Sequence, residues 1–256
     1  MNIFKSKKEK PSGQNSDTVR DAYEILQRYK AGKASVENRI IENEQWWKLR
    51  HWDVIRGKNG IEKPSEARPE PTSAWMFNSI SNKHADIMDN YPEPNVLPRE
   101  REDEQDAQTL SSILPVIFER NAYEETYSDA AWYKLKHGVA AKGAFWNQEL
   151  EDGMGDVDLR FMDILNLFWE PGVSDIQKSE HVFHVELVDN ERLVQMYPEL
   201  DGKLKSNVIK PRKYIHDDNA PTENKSSVVD WYYHTYKSGK RLLQYCKYSS
   251  YPHMIL

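Results

Sequence analysis

The sequence predicts an α+β fold in which N-terminal helices are followed by antiparallel strands and hairpins. Up to Gly138, apolar residues recur every three or four positions, which is typical of helices. Beyond that glycine the spacing falls to two, as at Val157 and Leu159, which is typical of half-buried strands. Turn signals at residues 151–155 and 237–240 then separate pairs of strands, so the second half is expected to form hairpins.

Two helices are predicted near the N-terminus. The first is expected to be interrupted or ended at Gly32, and the second to cover Ser35 to Trp52. The second helix carries Ile40 on one side and Ile41 on another, so it needs packing partners on both sides. Residues 53–71 contain glycine and proline turn signals and are expected to form a long loop or linker.

Later helices show clearer start and stop signals. One begins at Thr72 and is stopped by Pro92, because proline cannot continue a helix. Asn121 is expected to cap a further helix that ends at Gly138. These boundaries divide the chain into four predicted segments: a disordered basic tail over 1–16, a helical N-terminal segment over 17–56, a linker over 57–71 and an α+β domain over 72–256.

The composition limits the classes of protein to which the chain can belong. A net charge of −6 argues against nonspecific nucleic-acid binding by the whole surface. Cys246 is the single cysteine, so an internal disulfide and a cysteine-based zinc site are excluded within these residues, and a buried structural thiol is expected. No apolar run approaches the length of a membrane span, and no membrane partner is expected.

Four aspartates around the first hairpin could form the metal cluster of a nuclease: Asp152, Asp156, Asp158 and Asp163. Their positions in a turn and on the polar face of a strand argue against this interpretation. Asp158 and Arg160 are two apart in a strand and therefore point the same way, so an ion pair is the favoured account.

No other motif predicts catalysis, a cofactor or a metal site. His181 and His184 lie in a strand pattern, where residues three apart point to opposite faces, so a shared metal ion is disfavoured. The sequence lacks a phosphate-binding loop, a dinucleotide fingerprint and a nucleophile elbow. We therefore predict no catalytic, cofactor-binding or metal-binding residue.

Large aromatic side chains are the most distinctive feature of the chain. They bury much area, so they are expected to anchor either the core or a subunit interface. A stacking platform for single-stranded bases is disfavoured near residue 46, because the neighbours are acidic rather than basic. The predicted anchors are Trp46, Trp47, Trp52, Trp75, Phe168 and Trp169.

Several of these residues belong to motifs that resemble the N-terminal half of tailed-bacteriophage portal proteins from phages and prophages of Gram-positive bacteria. The resemblance covers residues 36–250 and depends on the order and spacing of the motifs. The motifs are Glu44–Trp47, Trp75–Asp86, Asn90–Val96, Arg99-Glu100, Lys136–Gly138, Phe145–Asn147 and Asn166–Gly172.

The resemblance implies a structural subunit of the virion, made in the host cytoplasm, rather than an enzyme. Portal proteins form dodecameric rings at one capsid vertex, and DNA passes through the ring during packaging and ejection. The implied partners are other copies of the chain, the terminase, scaffold and capsid proteins and head-completion proteins. Double-stranded DNA would pass without specific binding.

The chain departs from this family in its length. Portal subunits usually have wing, stem and clip regions, whereas this chain resembles the N-terminal part of the wing alone. It also ends just after an aromatic hairpin, which needs further sheet or helix beside it. We therefore expect a wing-like domain that is incomplete at its C-terminus. Two alternatives stay open: a metal-dependent phage nuclease that uses the four aspartates, and a monomeric adaptor module.

Overall fold

A computed structural model describes residues 14–59, 69–148, 150–204 and 224–256, and it confirms the α+β class. The predicted tail over 1–16 and the predicted linker over 57–71 lie largely outside the described residues. The helices of the described part are α1 (Gln14–Trp47), α2 (His51–Asn59), α3 (Trp75–Asp89), α4 (Glu104–Arg120), α5 (Tyr123–His137) and α6 (Asn190–Met196). None of these helices is both long enough and apolar enough to cross a bilayer.

The strands form two antiparallel sheets. A two-stranded sheet pairs β1 with β2, and a four-stranded sheet has the order β3-β4-β5-β6. Both predicted hairpins are confirmed. In the second, Ser238 and Gly239 have φ of 52° and 75°, the left-handed pair that fits a two-residue hairpin loop. The strands are β1 (Ala141–Asn147), β2 (Asp156–Met162), β3 (Leu167–Trp169), β4 (His181–Asp189), β5 (Lys225–Lys237) and β6 (Lys240–Ser249).

The chain folds into two compact units, one of which is discontinuous in sequence. Unit 1 combines the part of α1 up to Glu37 with residues Leu165–Leu256, and unit 2 is the intervening segment Asn38–Ile164. Unit 1 therefore contains the four-stranded sheet, and unit 2 contains the hairpin β1-β2 with α2 to α5. The domain boundaries predicted from sequence stay predictions.

The core of unit 1 lies between α1 and one face of the four-stranded sheet. Positions three or four apart on α1 form a continuous apolar stripe, which is the spacing that faces a partner. The stripe packs on alternate residues of β4 and β5, which share one face. Complete burial of a side chain as large as valine, leucine or phenylalanine stabilises the fold by about 1.5–3 kcal/mol. The buried residues are Val19, Ala22, Leu26, Tyr29, Phe168, Phe183, Val185, Val229, Trp231 and Tyr248.

The prediction that Gly32 interrupts or ends the first helix is wrong. Helix α1 runs through Gly32 to Trp47, and α2 begins at His51 after Leu49 adopts a φ of 59°. A Cβ at Gly32 would lie 2.5 Å from Cγ of Pro171. Glycine is therefore needed because the Pro171 ring packs directly on the helix backbone, and not because the chain must turn.

Asn121 does not cap α5 as the sequence predicts. Its Nδ2 donates to the carbonyls of Ile117 (2.8 Å) and Val157 (3.0 Å), and its Oδ1 accepts from the amide of Leu159 at 2.8 Å. Helix α5 instead follows Ala122, whose φ is 44° and whose side chain offers no cap. The asparagine thus joins the end of α4 to β2 by satisfying backbone groups that strand pairing leaves open.

Candidate functional site

Trp47 anchors an aromatic cluster inside unit 2. Its ring stacks on Phe77 with the centroids 4.6 Å apart, and it meets Trp132 edge to face at 5.3 Å. On the other side of the cluster, His84 stacks on Trp132 at 3.9 Å, and its Nε2 lies 3.0 Å from Oγ of Ser128. The cluster joins the last turn of α1 to helices α3 and α5. Trp47 is therefore a packing residue of unit 2.

A buried ion network lies beside this cluster and was missed in the sequence. Glu44 Oε2 is 3.1 Å from Nζ of Lys136 and 3.5 Å from Nε2 of His137, and all three side chains are at most 9% exposed. Burial alone would raise the pKa of Glu44, but His137 and Lys136 together lower it below its ordinary value. No local sequence pattern predicts this pair, because Glu44 and Lys136 are 92 positions apart. Both residues nevertheless lie in the motifs that resemble portal proteins.

Trp46 and Trp52 are half-buried in the same unit and make their own hydrogen bonds. Nε1 of Trp46 donates to Oε1 of Glu42 at 3.2 Å, and its ring lies 4.8 Å from that of His51. Nε1 of Trp52 donates to the carbonyl of Pro71 at 3.1 Å. Both indoles therefore position connections within unit 2.

Trp75 differs from the other predicted anchors because it is 81% exposed. It begins α3, and its neighbours Met76 and Phe77 are 45% and 42% exposed. Trp75 therefore does not lie in the core of unit 2. Its use at a subunit interface stays a prediction.

Phe168 and Trp169 lie in unit 1, where α1 holds them. Nζ of Lys33 donates to the carbonyl of Leu167 at 2.7 Å and lies 4.4 Å from the ring centroid of Phe168. Glu37 lies 4.0 Å from the same ammonium, and both charged side chains are buried. Phe168 belongs to the core, whereas Trp169 is half-buried and donates from Nε1 to the carbonyl of Val173 at 3.1 Å.

Two of the four aspartates of the nuclease alternative, Asp156 and Asp158, pair with arginines. Oδ2 of Asp158 accepts from Nε of Arg160 at 2.8 Å, and this hydrogen bond lowers the pKa of Asp158. Asp156 accepts from Arg120 at 3.1 Å. Among the described residues, the four aspartates do not gather into a group with metal-ligand spacing. The predicted pair of Asp158 and Arg160 is confirmed.

One group in the described residues has side chains close enough to share a cation: His184, Glu186 and Asp230, whose candidate ligand atoms lie within 4.8 Å of one another. Asp230, however, already accepts from the hydroxyl of Tyr245 at 2.6 Å and lies 3.6 Å from Nζ of Lys247. Burial would raise the pKa of Asp230, yet these neighbours and His184 lower it. The group is therefore a cross-strand ion network in which a lysine supplies the countercharge.

His181 lies on the opposite face of β4 from His184, as the alternation predicts. Its Nδ1 accepts from Nε1 of Trp231 at 3.2 Å, and its ring stacks near Phe183 in the core. Cys246 is half-buried against the same core, and burial raises the pKa of its thiol. Both residues therefore have packing roles.

The features that stand out in both units are aromatic side chains, buried ion pairs and exposed apolar side chains. The family model for the phage P22-like portal protein matches residues 62–247, and the chain belongs to that family. Portal proteins are structural components of the bacteriophage capsid vertex and serve DNA packaging. No curated protein matches the sequence.

Proposed function

We propose that the chain forms the N-terminal wing region of a portal ring through which DNA is packaged and ejected. The observation that carries this proposal is the family match over residues 62–247. The same region contains the apolar helix surfaces and the exposed Trp75 that a subunit contact requires. The proposed host is a Gram-positive bacterium, on the motifs quoted above.

A closed ring requires a head-to-tail contact between two different patches of each subunit. The exposed large apolar residues support such a contact, because they occur in both units: Trp75, Leu97 and Ile113 lie in unit 2, and Tyr236 and Leu243 lie in unit 1. The net charge of −6 suits a conduit, since a chain with more acidic than basic residues does not retain DNA phosphates strongly.

The ring would sit in the virion at one capsid vertex after synthesis in the host cytoplasm. There it would contact the terminase during packaging, scaffold and capsid proteins during assembly, and head-completion proteins afterwards. Ring stoichiometry by this proposal is twelve, as the family resemblance implies.

Native mass spectrometry and negative-stain electron microscopy of the purified chain test the ring. We expect closed rings with a uniform number of subunits. The fraction of chains found in rings should increase with protein concentration. Immunogold labelling of phage particles that carry the protein should mark one vertex. A chain that stays monomeric at high concentration would support the adaptor alternative, and label distributed over the whole capsid would contradict the vertex location.

A further inference from the structure

The hairpin between β5 and β6 ends in a basic and apolar tip, which we call the hairpin tip (residues 236–243). Tyr236 and Leu243 are 67% and 63% exposed there. Lys237 and Lys240 flank the turn, and neither forms a salt bridge with another residue that the structure describes. Arg241 differs from them, because it lies 3.5 Å from Glu180. The two lysines are thus exposed charges without a countercharge, next to exposed apolar area.

The start of α4 carries the opposite combination, which we call the acidic helix face. It consists of exposed carboxylates followed by exposed apolar residues: Glu100, Glu102, Asp103, Glu104 and Asp106, then Leu110, Ile113 and Val116. Within the described ranges none of these carboxylates forms a salt bridge. Arg99 and Arg101 offset only part of the charge.

The apolar part of the acidic helix face follows the period of a helix. Leu110, Ile113 and Val116 recur every three residues along one flank of α4 and are 45–48% exposed. Acidic residues in a first helical turn stabilise the helix dipole, which accounts for Glu104 and Asp106. The dipole does not account for three exposed aliphatic residues beside them, and such a stripe is typical of a surface that a partner covers.

We propose that the hairpin tip of one subunit docks on the acidic helix face of the next subunit. The inference rests on the proposed ring and names the two surfaces that would close it. Two surfaces of opposite charge, each with exposed apolar side chains, are complementary to one another but not to themselves. Such a pair favours a head-to-tail contact, in which the apolar residues supply the buried area and the charges fix the register.

Charge reversal of the full-length chain tests this contact. Lys237→Glu with Lys240→Glu should weaken self-association by about tenfold or more at low salt, because two attractions become repulsions. Glu104→Lys with Asp106→Lys should have the same effect. A mixture of the two variants should assemble as the wild type does, because every contact in an alternating assembly is then matched. Analytical ultracentrifugation at several salt concentrations measures both effects.

Two controls keep the result specific. Lys83→Glu with Lys203→Glu changes the net charge equally at exposed positions elsewhere, and it should leave association unchanged. Glu100→Lys with Glu102→Lys reverses charges that precede α4, and it replaces the helix variant if circular dichroism shows that the latter is unfolded. A zero-length carbodiimide cross-linker applied to mixed ¹⁴N- and ¹⁵N-labelled chains should join Lys240 to a carboxylate of the acidic helix face on a different chain.

Each outcome separates this contact from the ring itself. If the charge-reversed variants form rings as well as the wild type does, the proposed contact is overturned and the proposed ring is still supported. Small open assemblies that are weakened by each charge reversal and restored by mixing the two variants would support the contact and overturn the ring. A monomeric wild-type chain would overturn both. Unchanged association combined with lost retention on double-stranded DNA would assign the hairpin tip to phosphates instead.

Discussion

At the scale of single residues, Glu44 carries a buried charge whose protonation should affect the stability of the fold. Its folded-state pKa lies below the ordinary value of 4.5, so it stabilises the fold fully above that pH. As the pH falls through the lower folded-state value, protonation removes this contribution. Breaking such a buried pair from one side costs about 3–5 kcal/mol.

We expect Glu44→Gln to lower the free energy of unfolding at pH 7 by about 3 kcal/mol, because Lys136 is left buried without a countercharge. The difference from the wild type should shrink as the pH falls below 4.5, where the wild type loses the same charge. Urea unfolding between pH 7 and 3.5 measures this. Glu24→Gln, at an exposed pair with Arg20, is the matched control and should change little at any pH.

Phe168 and Trp169 are adjacent but differ in burial, which gives a second prediction. Phe168→Ala should lower the free energy of unfolding by about 3–5 kcal/mol, because Phe168 is 3% exposed. Trp169→Ala should lower it by about 2 kcal/mol, since Trp169 is half-buried and loses its hydrogen bond to Val173. Thermal unfolding monitors both. An unchanged midpoint in the tryptophan variant would show that Trp169 serves a contact made only after assembly.

At the scale of elements, α1 packs closely against Pro171 because residue 32 is glycine, although glycine lowers the stability of an isolated helix. Gly32→Ala should destabilise the protein by about 1–3 kcal/mol, because the new methyl group would lie 2.5 Å from Pro171. Gly57→Ala is the matched control in α2, where nothing lies within 4 Å of the added carbon. That substitution should stabilise by up to about 1 kcal/mol, through helix propensity alone. Equal effects of the two substitutions in urea unfolding would contradict the packing role of Gly32.

Local elements of the fold could be predicted, whereas features that depend on distant contacts could not. The turn Lys237–Lys240 contains the turn-forming dipeptide Ser238-Gly239 between two strand patterns, so the sequence alone places the hairpin. Gly32 has the same local signal as a helix end, but its partner Pro171 is 139 positions away. Glu44, likewise, meets Lys136 only in the folded chain. Among the predicted anchors, Phe168 is buried in the core and Trp75 is exposed, because aromatic character favours burial without specifying a partner.

At the scale of the whole molecule, unit 1 is held by its hydrophobic core and unit 2 contains an aromatic cluster of its own, so a substitution in one unit should destabilise mainly that unit. Phe183→Ala removes a fully buried ring from unit 1 and should cost about 3–5 kcal/mol. Hydrogen exchange should then accelerate in β4 and β5, while α5 and β2 of unit 2 stay closer to their wild-type protection. Equal acceleration in both units would instead show that they unfold as one.

The discontinuous unit 1 also has a consequence for synthesis on the ribosome. Unit 2 is complete once Ile164 has emerged, whereas the apolar stripe on the first part of α1 meets its sheet only after β5 and β6 are translated. The stripe residues Val19, Leu26 and Tyr29 therefore stay without their native cover while more than a hundred further residues are made. During that interval the nascent chain exposes an apolar helix face. Chaperones bind segments of this kind, and neighbouring chains can associate with them.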